Sequence, residues 1–375
     1  MAKTHVVSIL GTRPEAIKLA PVIQLLAKDS RFESFVIATA QHREMLDQVL
    51  SLFNLQPDED LNLMTADQSL AQLTASLCTH LDPLLEKYHP DWVLVQGDTT
   101  TAMTAALAAY YQHIRVAHVE AGLRTDDKWQ PFPEEANRRI ISAIADLHFA
   151  PTSVSCNNLL REGIPQDRIR VTGNTIIDAL NQVTRLPIPP EIADLLSAKG
   201  ILSGEKKLVV VTAHRRENFG DPIRSICAAL RQLAEKFPHQ IEIVYPVHLN
   251  PHIQKPVYDL LSGIPNLSLL APLDYLPLVH LLKNAALILT DSGGIQEEAT
   301  GLGIPCLVLR DVTERPEGVD AGVLKLVGTD TDRIVAEAGQ GLSANDHQEF
   351  FSSAPNPYGD GQAAPRIVQS LFEGI

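Results

Sequence analysis

Twelve short apolar and β-branched runs, each bounded by turn residues and followed by a helical pattern, constrain this chain more than any other feature. Alternation of this kind builds parallel sheets from βαβ units. The first half predicts strands at His5–Leu10, Phe35–Ala40, Trp92–Gln96, Val116–Val119, Leu147–Ala150 and Ile169–Thr172. The second half repeats the rhythm at Leu208–Thr212, Ile241–Tyr245, Leu267–Leu270, Leu287–Thr290, Cys306–Leu309 and Val323–Leu326. Between them, Leu186-Pro187-Ile188-Pro189-Pro190 cannot continue a helix and reads as a linker. A chain of 375 residues is also too long for one ordinary core. The pattern therefore predicts an α/β protein of two Rossmann-like, doubly wound domains. The first spans residues 1–175 and the second 206–362, with a linker region over 176–205. A helical segment at about 363–375 is expected to pack back on the first domain. Ligands of such sheets bind outside the carboxyl ends of the strands, so the expected site is a deep cleft across which the two domains face each other.

Composition narrows the ligand. A net charge of −14 repels polyanions, and aromatic content of 5% is too sparse for a nucleic-acid stacking platform. An anionic ligand must then be small and held by a local cluster of Arg, Lys and His. No stretch has the length of a membrane span, and Met1–His5 leads straight into a strand instead of a signal sequence. The four cysteines are scattered without a CxxC pair, as expected of reduced thiols in a cytoplasm. The thirteen histidines form no HExxH or His/Cys cluster, so no metal site is expected.

Cationic motifs follow strand ends in both halves. After the first strand, Gly11-Thr12-Arg13-Pro14-Glu15-Ala16-Ile17-Lys18 offers a glycine turn, proline suited to the first helical position, and two fixed charges. The alternative is a capped surface helix with solvated charges. No GxGxxG stands there, so the nicotinamide fingerprint is absent. In the second half, Asp291-Ser292-Gly293-Gly294-Ile295-Gln296-Glu297-Glu298 between a buried strand and a helix reads as a second anion-receiving turn. His214-Arg215-Arg216-Glu217 follows a strand directly; its alternative is a solvated loop in which the arginines pair with Glu217. Arg310–Glu317 adds further guanidinium groups, or else a surface ion pair.

Acids gather in the first half. Asp98, in Gly97-Asp98-Thr99-Thr100, and Glu120, in His118-Val119-Glu120-Ala121-Gly122, end neighbouring buried strands, where carboxylates are costly unless paired or functional. Asp98 has a second reading as the cap of the helix beginning near Thr100. Glu134 follows Pro131-Phe132-Pro133 at a helix start, which the helix dipole alone can explain. Acids facing a cationic diphosphate site suggest proton transfer on a sugar. Phosphoryl transfer would need a P-loop or kinase-type metal signature, and neither occurs.

Together with Gln41-His42-Arg43, Pro133–Arg138, Thr313–Glu317 and Asn356–Gly361, these motifs resemble the bacterial non-hydrolysing UDP-N-acetylglucosamine 2-epimerases along nearly the whole chain. The resemblance implies the GT-B fold and an isomerase that needs no cofactor. It implies reversible conversion of UDP-GlcNAc to UDP-ManNAc, a precursor of surface polysaccharides, by elimination of UDP to a bound 2-acetamidoglucal and re-addition. It assigns acid/base roles to Asp98, Glu120 and Glu134, with His214 beside the diphosphate. Arg13, Lys18, Ser292, Gly293, Gly294, Glu298 and Arg315 match nucleotide-contacting positions, and Leu278 lies in the segment expected at the uracil. Gln41, His42, Arg215 and His248 match an allosteric UDP-GlcNAc site of some relatives. A cytoplasmic homodimer binding neither nucleic acid nor membrane is implied. Rival expectations are an epimerase of a modified UDP-sugar, a hydrolysing 2-epimerase, and a GT-B glycosyltransferase.

Overall fold

The computed structural model describes residues 3–39, 43–64, 68–343 and 356–374. The chain divides into two compact units, Met1–Asn181 with Tyr358–Ile375, and Gln182–Pro357. In the first unit the strands are β1 (Thr4–Leu10), β2 (Phe32–Ala38), β3 (Glu59–Asp60), β4 (Trp92–Gln96), β5 (Arg115–Val119), β6 (Leu147–Ala150) and β7 (Ile169–Val171). They form one parallel sheet in the order β3-β2-β1-β4-β5-β6-β7. The second unit carries β8 (Lys207–Thr212), β9 (Ile241–Pro246), β10 (Leu267–Leu270), β11 (Leu287–Thr290), β12 (Cys306–Val308) and β13 (Leu324–Leu326). Their order, β10-β9-β8-β11-β12-β13, is parallel throughout. Both are doubly wound Rossmann-like sheets, as expected. The order reverses between β1 and β4 in one unit and between β8 and β11 in the other, and those switch points are where such folds bind ligands.

The sheets form because helices cover their strands on both faces, so the strands read as continuous apolar runs. β4 (Trp-Val-Leu-Val-Gln) is buried at every position. The helix Leu70–Tyr88 turns Leu73, Leu77, Leu81 and Leu85 onto the first core at i, i+4 spacing. Each such leucine contributes about 1.5–3 kcal/mol by burial. Among the described residues, no helix is long and apolar enough to cross a membrane.

Two expectations need correction. The linker region is folded: helices occupy Thr175–Val183 and Pro190–Ala198, and Ile192 and Leu196 of the latter are buried in the second unit's core. The proline run separates these two helices. The chain also rejoins the first unit at Tyr358, ahead of the final helix Ala363–Glu373. There the Asn174 N–H donates to the Tyr358 carbonyl at 2.7 Å, and Asp178 accepts from the N–H groups of Ala363 and Ala364 at 3.2 and 3.0 Å. Gly173 and Gly359 have φ of +87° and +117°, and a Cβ on Gly359 would stand 3.0 Å from the Gly173 Cα. Only two glycines allow backbones to meet so closely.

Candidate functional site

The turn after β1 is closed by its own side chains. Thr12 caps the helix Arg13–Lys28 in a capping box with Glu15, whose Oε2 accepts from the N–H groups of Gly11 and Thr12 at 3.1 and 2.7 Å. Its Oε1 accepts from the Thr99 hydroxyl at 2.6 Å. Burial raises the Glu15 pKa. The expectation that these N–H groups face an anionic ligand is therefore corrected: a buried carboxyl group already takes them. Arg13 is half-buried at the first helical position. Lys18, matched to a nucleotide contact, has its buried ammonium on Glu120.

That pairing belongs to a carboxylate cluster at the ends of β4 and β5. Glu120 has a left-handed backbone, φ +66°, which costs a residue with a side chain on the order of 1 kcal/mol or more and is commonest at functional sites. Its Oε1 meets Lys18 and the Asn174 amide, the latter at 3.0 Å, and its Oε2 meets the Gln96 amide. Asp98 is gripped by the Arg138 guanidinium, with Nε and Nη2 at 2.9 and 2.7 Å from Oδ2. Arg138 is anchored in turn by the wholly buried Glu135 at 3.1 Å. Asp98 does not cap the next helix; Thr99 does, accepting from the Ala102 N–H at 3.0 Å. The capping explanation for Asp98 is thereby removed. Glu134 opens the helix Glu134–Ile144, and its Oε2 is buried without a hydrogen-bond partner among the described residues. Behind the cluster, the His118 Nε2–H donates to the Gly97 carbonyl at 2.7 Å; burial lowers its pKa to about 4, so the ring is neutral.

The second unit presents the opposite sign. Asp291, wholly buried at the end of β11, accepts at Oδ2 from the N–H groups of His214 and Arg215 and from the Asn218 amide, each at 2.8 Å. The carboxylate thus shapes the loop after β8. The His214 ring stacks on His248 with centroids 5.6 Å apart. Ser292 supplies no side-chain cap to the helix Gly293–Leu302, so the turn Ser292-Gly293-Gly294 leaves its N-terminal dipole uncapped. The Arg315 guanidinium lies against Gly293 so closely that a Cβ there would collide with it. Glu297 orients Arg315 at 2.7 Å through Nε. Burial alone would raise the Glu314 pKa, yet Arg315 and Arg310 hold it down to about 2. Arg310 also binds Glu217, so that acid has a partner other than the arginines after β8, which the alternative reading of that loop had paired with it. Glu298 is buried on the same helix. Leu278 is half-buried on the helix Tyr275–Lys283, packed with Leu273 against the core. Gln41 and His42 lie outside the described residues.

One unit thus gathers carboxylates at its switch point, and the other carries a helix end without a side-chain cap beside a guanidinium. The family profile of UDP-N-acetylglucosamine 2-epimerase matches residues 24–372. The chain belongs to the UDP-N-acetylglucosamine 2-epimerase family. It is 52% identical to the curated epimerase of Yersinia pestis over 98% of each chain. It is similar to the Neisseria meningitidis UDP-GlcNAc 2-epimerase solved with UDP-GlcNAc bound: 49% identity, TM-score 0.92, 99% of this chain and 100% of that one. It also resembles the Methanocaldococcus jannaschii enzyme solved with UDP-GlcNAc and UDP: 35% identity, TM-score 0.83, 99% of this chain and 100% of that one.

Within this epimerase-family chain, sequence reasoning missed Gln96 and Asn174, which hold Glu120, and Glu135, which holds Arg138. Gln96 opens the motif that carries Asp98, where only the acid stood out, and Asn174 follows Gly173 at a strand end, outside every motif with a charge. The box Thr12-x-x-Glu15 was itself the signal that the first turn is self-capped.

Proposed function

We propose that this chain interconverts UDP-GlcNAc and UDP-ManNAc without releasing free sugar. Family membership along nearly the whole chain carries the proposal. The C2 proton of this sugar has no neighbouring carbonyl to acidify it, so direct abstraction is slow. Cleaving the C1–O bond first leaves positive charge on the sugar and negative charge on the diphosphate. The carboxylates of the first unit suit the former, and the Ser292–Gly294 turn with Arg315 suits the latter. Loss of the C2 proton to a carboxylate gives 2-acetamidoglucal and UDP. Protonation of C2 from the other face and return of the diphosphate oxygen to C1 complete the epimerisation.

We assign proton exchange to Glu134, whose Oε2 has no hydrogen-bond partner among the described residues, and to Asp98. Glu120, with both oxygens engaged, suits charge stabilisation. His214, Arg13 and Glu298 complete the nucleotide contacts in this reading, with Leu278 beside the uracil. Lys18 acts through Glu120. We also propose a cytoplasmic homodimer supplying surface-polysaccharide synthesis, with Gln41, His42, Arg215 and His248 at an activating UDP-GlcNAc site. Incubating the protein with UDP-GlcNAc in D₂O, without nicotinamide or acceptor, tests the reaction by NMR. UDP-ManNAc carrying deuterium at C2 is expected. Free ManNAc would indicate the hydrolysing reaction, and no new sugar nucleotide would refute the assignment.

A further inference from the structure

The assigned chemistry does not account for Asp291. Its Oδ2 organises the loop after β8 through three donors, but its Oδ1 is buried without a hydrogen-bond partner among the described residues. A buried carboxylate oxygen left in that state is costly. The nitrogen it faces is Nδ1 of His214, 3.6 Å away, a separation that a small rotation of the ring closes. His248, at the end of β9, stacks on the same ring with planes 19° apart and limits its tilt. Oδ2 therefore fixes the His214 backbone, Oδ1 faces one ring edge, and His248 covers a face.

We propose that Asp291 is a positioning residue for His214: it accepts Nδ1–H, fixes the tautomer, and leaves the Nε2 edge for the ligand. The inference rests on the proposed function only in taking His214 to meet the ligand. Three groups face the ring besides its packing: Asp291 after β11, His248 after β9, and Arg215 on its own loop. Burial lowers the His214 pKa, Asp291 opposes that, and Arg215 and His248 reinforce it. Asp291 is thus the group that favours the charged ring against burial and its cationic neighbours.

The test is long-range ¹H–¹⁵N NMR of the full chain labelled at histidine, with the His214 signals identified by their loss in His214→Gln. The wild type should carry Nδ1–H. In Asp291→Asn, the carboxamide oxygen can keep the three donors while its NH₂ group faces Nδ1. The tautomer should then change to Nε2–H, and the His214 titration midpoint should move to lower pH. On the order of a 100-fold loss of kcat should accompany a KM changed less than about threefold. Asn218→Ala, which removes one donor to Oδ2 but leaves Oδ1, should keep the wild-type tautomer. An Nε2–H tautomer in the wild type would overturn the proposal even if Asp291→Asn failed to fold, as would an unchanged tautomer and midpoint in Asp291→Asn. These signals need no turnover, so a failure of epimerisation would refute the proposed function and leave this result separate.

Discussion

β4 and β11 hold the same place in their sheets, fourth in chain order beyond the reversal within each Rossmann-like ladder, yet their turns are chemical opposites. After β4, Thr99 caps the helix and Asp98 projects a carboxylate gripped by Arg138. After β11, Asp291 turns inward to bind the neighbouring loop, and Ser292 leaves the helix uncapped beside Arg315. The turn after β1 follows the first pattern, sealed by Thr12 and Glu15. One fold position can therefore present an acid or receive an anion. Whether a side chain within the turn already takes the helix N–H groups decides which.

Breaking each side of the comparison should give a different signature. The largest effect is expected from Glu120→Gln, which removes the charge held by Lys18: about 10³-fold in kcat, or about 4 kcal/mol, with UDP affinity changed less than about threefold. Steady-state kinetics beside calorimetric UDP titration would show it. Equal loss of both would assign Glu120 to nucleotide binding. Gly293→Ala should do the reverse. Its Cβ displaces the Arg315 guanidinium, and UDP affinity should drop by roughly 30-fold, about 2 kcal/mol, with little change in thermal stability. An unchanged Kd would remove the Gly293–Arg315 turn from the nucleotide site.

Acid separates the units next. Burial lowers the pKa of His148 to about 3 and of His118 to about 4, both on strands of the first unit. A histidine whose folded pKa lies below the unfolded value of about 6.5 contributes fully above that pH and loses its contribution as pH falls toward the folded value. Replacing His148 with phenylalanine should therefore reduce the loss of stability between pH 6.5 and 4.5, by about 2 kcal/mol at the lower end, in urea unfolding of the first unit. A curve parallel to the wild type would contradict this. The smallest effect belongs to Thr12→Ala: about 1 kcal/mol of stability, through the lost cap, with UDP affinity unaltered. A matching fall in UDP affinity would reopen the first turn as an anion site.

Both sheets were legible because strands covered on two faces must read as apolar runs, as β4 does. β3 was not: Glu59–Asp60 is a two-residue charged edge strand with no pattern to detect. The proline run misled about the linker because helix breaking is local, whereas the burial of Ile192 and Leu196 depends on residues far along the chain. At the site, single strand-end acids such as Asp98 and Glu120 stood out, since each is expensive beside an apolar run. Their partners did not. Lys18 meets Glu120 across 102 residues, and Asn174 reaches it across 54. Such pairings are products of sheet order, which no local motif encodes.

The central claim is that the C1–O bond breaks and re-forms while both fragments stay bound. UDP-GlcNAc carrying ¹⁸O in the oxygen joining C1 to the β-phosphate, incubated with the protein in D₂O, tests this directly. The account predicts that recovered UDP-GlcNAc and UDP-ManNAc show ¹⁸O scrambled into non-bridging phosphate positions together with deuterium at C2. Deuterium at C2 with every ¹⁸O still in the bridge would contradict it.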